Sequence, residues 1–194
     1  GDALATWFEA RDCQRARSMN ECGGYSTISA LNLARLCYDT ILNYGPAAAI
    51  ACRNRAVTPA LERVIEANTL LSGIGFESSG LAAAHSIHNG LSALGATHAF
   101  YHGEKVAFGV LAQLHLTDAA PEEIDEVYSF CEAIGLPTTF AKIGISNPSK
   151  DDLWAVAEKS CAAQESIHHE AGSITPSMVS EALVMTDAYG RSRK

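Results

Sequence analysis

Ile28-Ser29-Ala30-Leu31-Asn32-Leu33-Ala34-Arg35-Leu36-Cys37-Tyr38-Asp39-Thr40-Ile41-Leu42 is the stretch on which the fold class turns. Its large apolar residues, Ile28, Leu31, Leu33, Leu36, Ile41 and Leu42, return at the pitch of an α-helix and do not alternate as strand residues would. A stripe of that length needs an apolar partner surface, so the segment reads as a core helix. Ser26 offers its N-cap, and Tyr44-Gly45-Pro46 its end, because proline lacks the N–H that continues the helical ladder.

Toward the N-terminus, Gly23-Gly24 separates this helix from residues 2–16, where Leu4, Trp7 and Phe8 fall on one side and Glu9, Arg11 and Asp12 largely on the other. Toward the C-terminus, the alanine-rich residues 46–53 predict a short helix. Thr58-Pro59 opens the next by the N-cap and proline-at-N1 pattern, carrying Leu61, Val64 and Ile65 inward to about Leu71. Residues 72–80, Ser-Gly-Ile-Gly-Phe-Glu-Ser-Ser-Gly, read as the most flexible loop of the chain. Further helices are expected from Leu81 to about Leu94, and after His102-Gly103-Glu104 through Leu114. Three more follow: from Pro121 to the Gly135-Leu136-Pro137 break, from about Lys150 to Gln164, and from Thr175-Pro176 onward. No alternating strand and no internal repeat interrupts the pattern. The expected fold is all-α, a compact multi-helix bundle in which residues 1–194 form a single domain.

Composition narrows the functional classes. Hydrophobic residues make up 47% of the 194, enough for a substantial core. The net charge of −8, with basic residues scattered, lacks the electrostatic footprint of a nucleic-acid binder. No apolar run approaches the roughly 20 residues that span a bilayer, and no signal-peptide pattern opens the chain, so a cytoplasmic protein without membrane partners is expected. The six cysteines are dispersed without a C-x-x-C pair and read as reduced thiols. The opening, Gly1-Asp2-Ala3-Leu4, lies inside an amphipathic pattern without an initiator methionine and reads as part of a longer protein.

His85 and His88 lie three apart on one expected helix, while His102 opens the next. Neutral imidazole is the commonest protein ligand for zinc, and catalytic zinc sites take three protein ligands and leave a position open. By spacing alone the ligand signal is weak: each histidine reads first as a surface or hydrogen-bonded core residue, and Asp2 as a solvated carboxylate at a helix start. The Gly73-x-Gly75-x-x-Ser78 run is not a dinucleotide fingerprint, since it follows a helix, not a strand, and lacks a third glycine. A Walker loop and a G-x-S-x-G elbow are likewise missing from the sequence.

Longer strings carry more information. Gly1-Asp2-Ala3-Leu4-Ala5-Thr6-Trp7-Phe8-Glu9-Ala10-Arg11, Val57-Thr58-Pro59-Ala60-Leu61-Glu62, Gly75-Phe76-Glu77-Ser78, Gly80-Leu81-Ala82-Ala83-Ala84-His85-Ser86-Ile87-His88-Asn89-Gly90 and His102-Gly103-Glu104-Lys105-Val106-Ala107-Phe108-Gly109 resemble the C-terminal domain of the glycerol dehydrogenases. These belong to the iron-containing alcohol dehydrogenase and dehydroquinate synthase superfamily.

The resemblance implies one zinc ion held by Asp2, His85 and His102, the same residues being catalytic, with His85, His102 and Phe76 lining the substrate pocket. His88 would be a pocket residue and not a ligand. Where iron-using relatives carry a fourth, histidine ligand, this chain has Thr6. The implied reaction is NAD-dependent oxidation of glycerol to dihydroxyacetone. NAD would be bound mainly by an N-terminal nucleotide-binding α/β domain that this sequence lacks, so this chain alone should be inactive.

A small polyol substrate, that N-terminal domain and a homo-oligomer are the implied partners. Ser79, Ser86 and His169-Glu170-Ala171 depart from the family strings. A related dehydrogenase acting on another diol or polyol, or a non-catalytic helical fragment, are the alternatives.

Overall fold

The computed structural model describes residues 1–193. Among them the ordered elements are helices, and the one β-bridge, Met19 to Tyr25, is isolated. The expected all-α bundle is therefore what the chain forms. No helix of the described residues is long and apolar enough to cross a membrane.

Helix α1, Asp2–Ala16, ends where Arg17 turns left-handed at φ 55°. Helix α2, Ile28–Arg53, starts one residue later than its sequence suggests: Thr27, not Ser26, accepts from Ala30 N. Ser26 instead meets Ser79 Oγ at 3.0 Å. The helix also runs straight through Pro46, correcting the expectation of two helices. Proline disfavours helical geometry before it partly by clashing with the preceding Cβ, and residue 45 is a glycine with none. A Cβ there would also lie 2.9 Å from Cε2 of Phe130, so Gly45 is a packing contact and not a break.

Helix α3, Pro59–Glu66, passes through a π-turn, Ala67–Leu71, into α4, Ser72–Ser79. Residues 72–79 are thus helical and not a loop, and only Gly80, at φ 105°, ends the rod. Gly75 is buried against α1 and α2: a Cβ would stand 2.6 Å from Thr6 Cγ2 and 3.4 Å from Ala34 Cα. Close packing overrides the low helix propensity of glycine here.

The remaining helices are α5 Ala83–Leu91, α6 His102–Leu116, α7 Pro121–Ile134, α8 Lys150–Ser160 and α9 Pro176–Ser192. Pro121 and Pro176 occupy first-turn positions, and Ser149 and Asp152 cap α8 reciprocally. Helices α5 and α8 end earlier than their periodicity suggests.

Two apolar clusters share α6. On one side, Val106, Val110, Leu111 and Leu114 pack with Leu4, Phe8, Ile41 and Tyr128; on the other, Phe108 and Ala112 pack with Ile87, Leu91, Val156 and Leu183. A helix buried on all sides belongs at the centre of the bundle, and its N-terminus therefore sits among the elements that carry the candidate residues.

Candidate metal centre

Three helix starts build the site. Asp2 begins α1, His102 begins α6, and His85 lies in the first turn of α5. Their ligand-type atoms all lie within 4.8 Å of one another. Asp2 Oδ1 is 2.7 Å from His102 Nδ1 and 3.7 Å from His85 Nε2. Glycine makes this approach possible, since a Cβ on Gly103 would stand 2.7 Å from Asp2 Oδ2.

Burial grades across the trio: side-chain exposure is 18% for His85, 48% for Asp2 and 54% for His102. One donor is thus seated in the protein while the others face outward. Burial pulls the Asp2 carboxyl up, but the neighbouring His85 and His102 imidazoles outweigh it and hold Asp2 well below the usual carboxylate range. Burial pulls the His85 imidazole down, yet the Glu9 and Asp2 carboxylates push it up to about 10. Two carboxylates beside one imidazole make a place where positive charge is stabilised.

The His88 ring lies against His102, centroids 4.2 Å apart and planes tilted by 49°, and pairs through Nδ1 with Asn89 Oδ1. Burial, followed by the His102 charge, pushes it down to about 4. Thr6 turns away from the trio. Its hydroxyl donates to Asp2 O at 2.9 Å and meets Ser72 Oγ at 3.0 Å. Phe76 lies on α4 with 39% of its surface exposed.

Sequence reasoning missed Glu9. The amphipathic pattern puts it with Asp12 on the polar side of α1, but Glu9 is fully buried and Asp12 3% exposed. Glu9 Oε2 accepts from His85 Nδ1 at 2.6 Å, and Gln113 Nε2 donates to Asp12 Oδ2 at 2.8 Å. The hint available was that three polar residues on a helix otherwise lined with Leu4, Ala5 and Phe8 need partners, and the partners come from distant segments. Of the departures from the family strings, Ser79 and Ser86 are fully buried, and Glu170, 3% exposed, accepts from Ala83 N at 3.0 Å.

No protein-family model matches the chain. A glycerol dehydrogenase of Thermotoga maritima is 56% identical over 194 residues, 100% of this chain and 53% of the relative. One from Pseudomonas putida is 54% identical over 191 residues, 98% of this chain and 52% of the relative. The crystal structure of a probable glycerol dehydrogenase from Sinorhizobium meliloti 1021 superposes with a TM-score of 0.95 at 42% identity, covering 98% of this chain and 54% of that one.

The chain is a homologue of the glycerol dehydrogenases. It spans about half the length of the curated relatives it matches, 53% and 52%, and corresponds to their C-terminal part. The helical bundle is accordingly the fold of that part of a glycerol dehydrogenase, with Asp2, His85 and His102 gathered at the starts of α1, α5 and α6.

Proposed function

We propose that the chain is the metal-binding half of an NAD-dependent glycerol dehydrogenase. The observation that carries this reading is the convergence of one carboxylate and two imidazoles to within 4.8 Å in a homologue of those enzymes. The donor set fits zinc, whose catalytic sites take three nitrogen or oxygen ligands and keep an open position. Asp2 and His102 are half exposed, so the trio can be reached from solvent. Zinc held by these residues would supply Lewis acidity to an alcohol oxygen, and NAD, held mainly by an N-terminal nucleotide-binding domain, would be the hydride acceptor for oxidation of glycerol to dihydroxyacetone.

The chain's own residues do the rest. Asp2 contributes the one negative charge, so the trio only partly neutralises a divalent ion and preserves its pull on a hydroxyl oxygen. His85 anchors the ion from inside, backed by Glu9. His88, packed against His102, offers Nε2 to a second hydroxyl of a polyol, and Phe76 supplies an apolar wall that disfavours bulk water near the reacting carbon. A small polyol is thus the substrate class, and the complete enzyme is a homo-oligomer.

The test uses the protein together with its N-terminal domain. Chelation should abolish glycerol-dependent reduction of NAD and added zinc should restore it, while His85→Ala should bind no zinc and lose nearly all activity. Full activity after exhaustive chelation, or in His85→Ala, would overturn the proposal. A panel of diols and polyols in the same assay fixes the substrate.

A further inference from the structure

Helix α5 carries His85 but supplies no side-chain cap for its own first turn. Its opening N–H groups are satisfied from three other elements. Glu9 Oε1 of α1 accepts from Ala82 N at 2.9 Å and His85 N at 3.0 Å. Glu170 Oε1 accepts from Ala83 N at 3.0 Å, and Gln113 Oε1 of α6 from Ala84 N at 3.1 Å. Glu9 is the one of these that also grips the His85 ring, through Oε2 and Nδ1 at 2.6 Å.

A buried carboxylate accepts hydrogen bonds and donates none, so Nδ1 of His85 carries the proton in this pair. The neutral ring then has its lone pair on Nε2, the nitrogen that faces Asp2. We propose that Glu9 is a positioning residue: it fixes the tautomer and ring plane of His85 so that Nε2 is presented to a divalent metal ion. One carboxylate sets both where α5 begins and how its histidine points, tying the ring to the backbone that carries it. The inference rests on the metal reading proposed above.

Glutamine tests it, because three N–H groups converge on the two oxygens of Glu9 and an amide has only one. In Glu9→Gln, an amide oxygen kept on the α5 backbone turns its NH₂ toward Nδ1, which favours an accepting Nδ1 and a proton on Nε2, the nitrogen meant for metal. Zinc titration against a competing chelator should show binding weakened about 10- to 100-fold in Glu9→Gln, with the helical circular dichroism of the metal-free form retained. Affinity equal to that of the unaltered protein would overturn the proposal.

A second measurement avoids the variant altogether. In the zinc-loaded, unaltered protein, ¹⁵N–¹H correlation of the His85 ring should show a protonated Nδ1 and a metal-bound Nε2, whereas metal on Nδ1 would sink the proposal. If the unaltered protein takes up no zinc, the metal reading itself falls, and the inference with it. If zinc binds but Glu9→Gln is indifferent, only the role of Glu9 falls.

Discussion

Oδ1 of Asp2 and Nδ1 of His102 meet at 2.7 Å, joining the first turn of α1 to the first turn of α6. The space for this contact depends on Gly103, where a Cβ would lie 2.7 Å from the other carboxylate oxygen. Gly103→Ala should displace Asp2 and weaken zinc binding about tenfold, a cost of roughly 1.4 kcal/mol. Alanine is the better helix former, so the fold should hold. Chelator competition alongside circular dichroism checks both halves, and undiminished zinc affinity would mean the carboxylate can yield freely.

On the proposed metal reading, Thr6 is why this chain would offer three ligands and not four. Its side chain is 2% exposed, bonded to Ser72 and pressed toward Gly75. Thr6→His should therefore overpack the α1–α4 contact and destabilise the protein by about 1–3 kcal/mol, with no gain in zinc affinity. Thermal melts and zinc titration would detect the opposite result, a stable variant with tighter binding, which would show that the ring can swing into the site.

Glu170 gives the fold a distinct pH response. Burial first, then the Asp12 and Glu9 charges, push its carboxyl from an ordinary 4.5 up to about 8 against the pull of the Ala83 N–H. Its folded-state pKa exceeds the unfolded one, so its stabilising contribution is complete below about pH 4.5 and is lost as pH rises through about 8. Glu170→Gln keeps an acceptor for Ala83 without the charge. Its unfolding midpoint should match that of the unaltered protein near pH 4 and exceed it by several degrees near pH 9. Parallel melting curves at the two pH values would refute the assignment.

All six cysteines are free. Cys22 and Cys52 are exposed and should react first with a thiol reagent. Cys13, Cys37 and Cys131 are buried, and burial pushes the Cys37 and Cys131 thiols up to about 12. They should remain silent until denaturant is added, when the full complement titrates without reductant. A smaller number under those conditions would reveal a disulfide.

The helical class was legible because apolar spacing over Ile28–Leu42 reports a local periodicity that tertiary structure keeps. Gly45-Pro46 and residues 72–80 misled for a shared reason: Gly45 and Gly75 look like breakers when read locally, but each makes room for a neighbouring helix through Phe130 or Thr6. That Asp2, His85 and His102 belong together could be read from the family strings, and the structure brings them together, while spacing alone left every histidine ambiguous. Glu9 stayed hidden because its partners, Ala82 and His85, lie far along the chain. Without them a carboxylate on an amphipathic helix looks solvated.

The π-turn at Ala67–Leu71 acts as a phase shifter. Each residue of an α-helix rotates the chain by about 100°, and the wider i→i+5 loop inserts an offset into an otherwise continuous rod. Upstream, α3 faces α2 with Leu61 and Val64; downstream, α4 seats Gly75 against Thr6 and Ala34 and leaves Phe76 outward. Remove the offset and the rod arrives at α1 out of step, presenting a bulkier neighbour where only glycine fits. The seating of the turn that runs from Asp2 to Thr6 is thus set by an angular correction made before the rod reaches it.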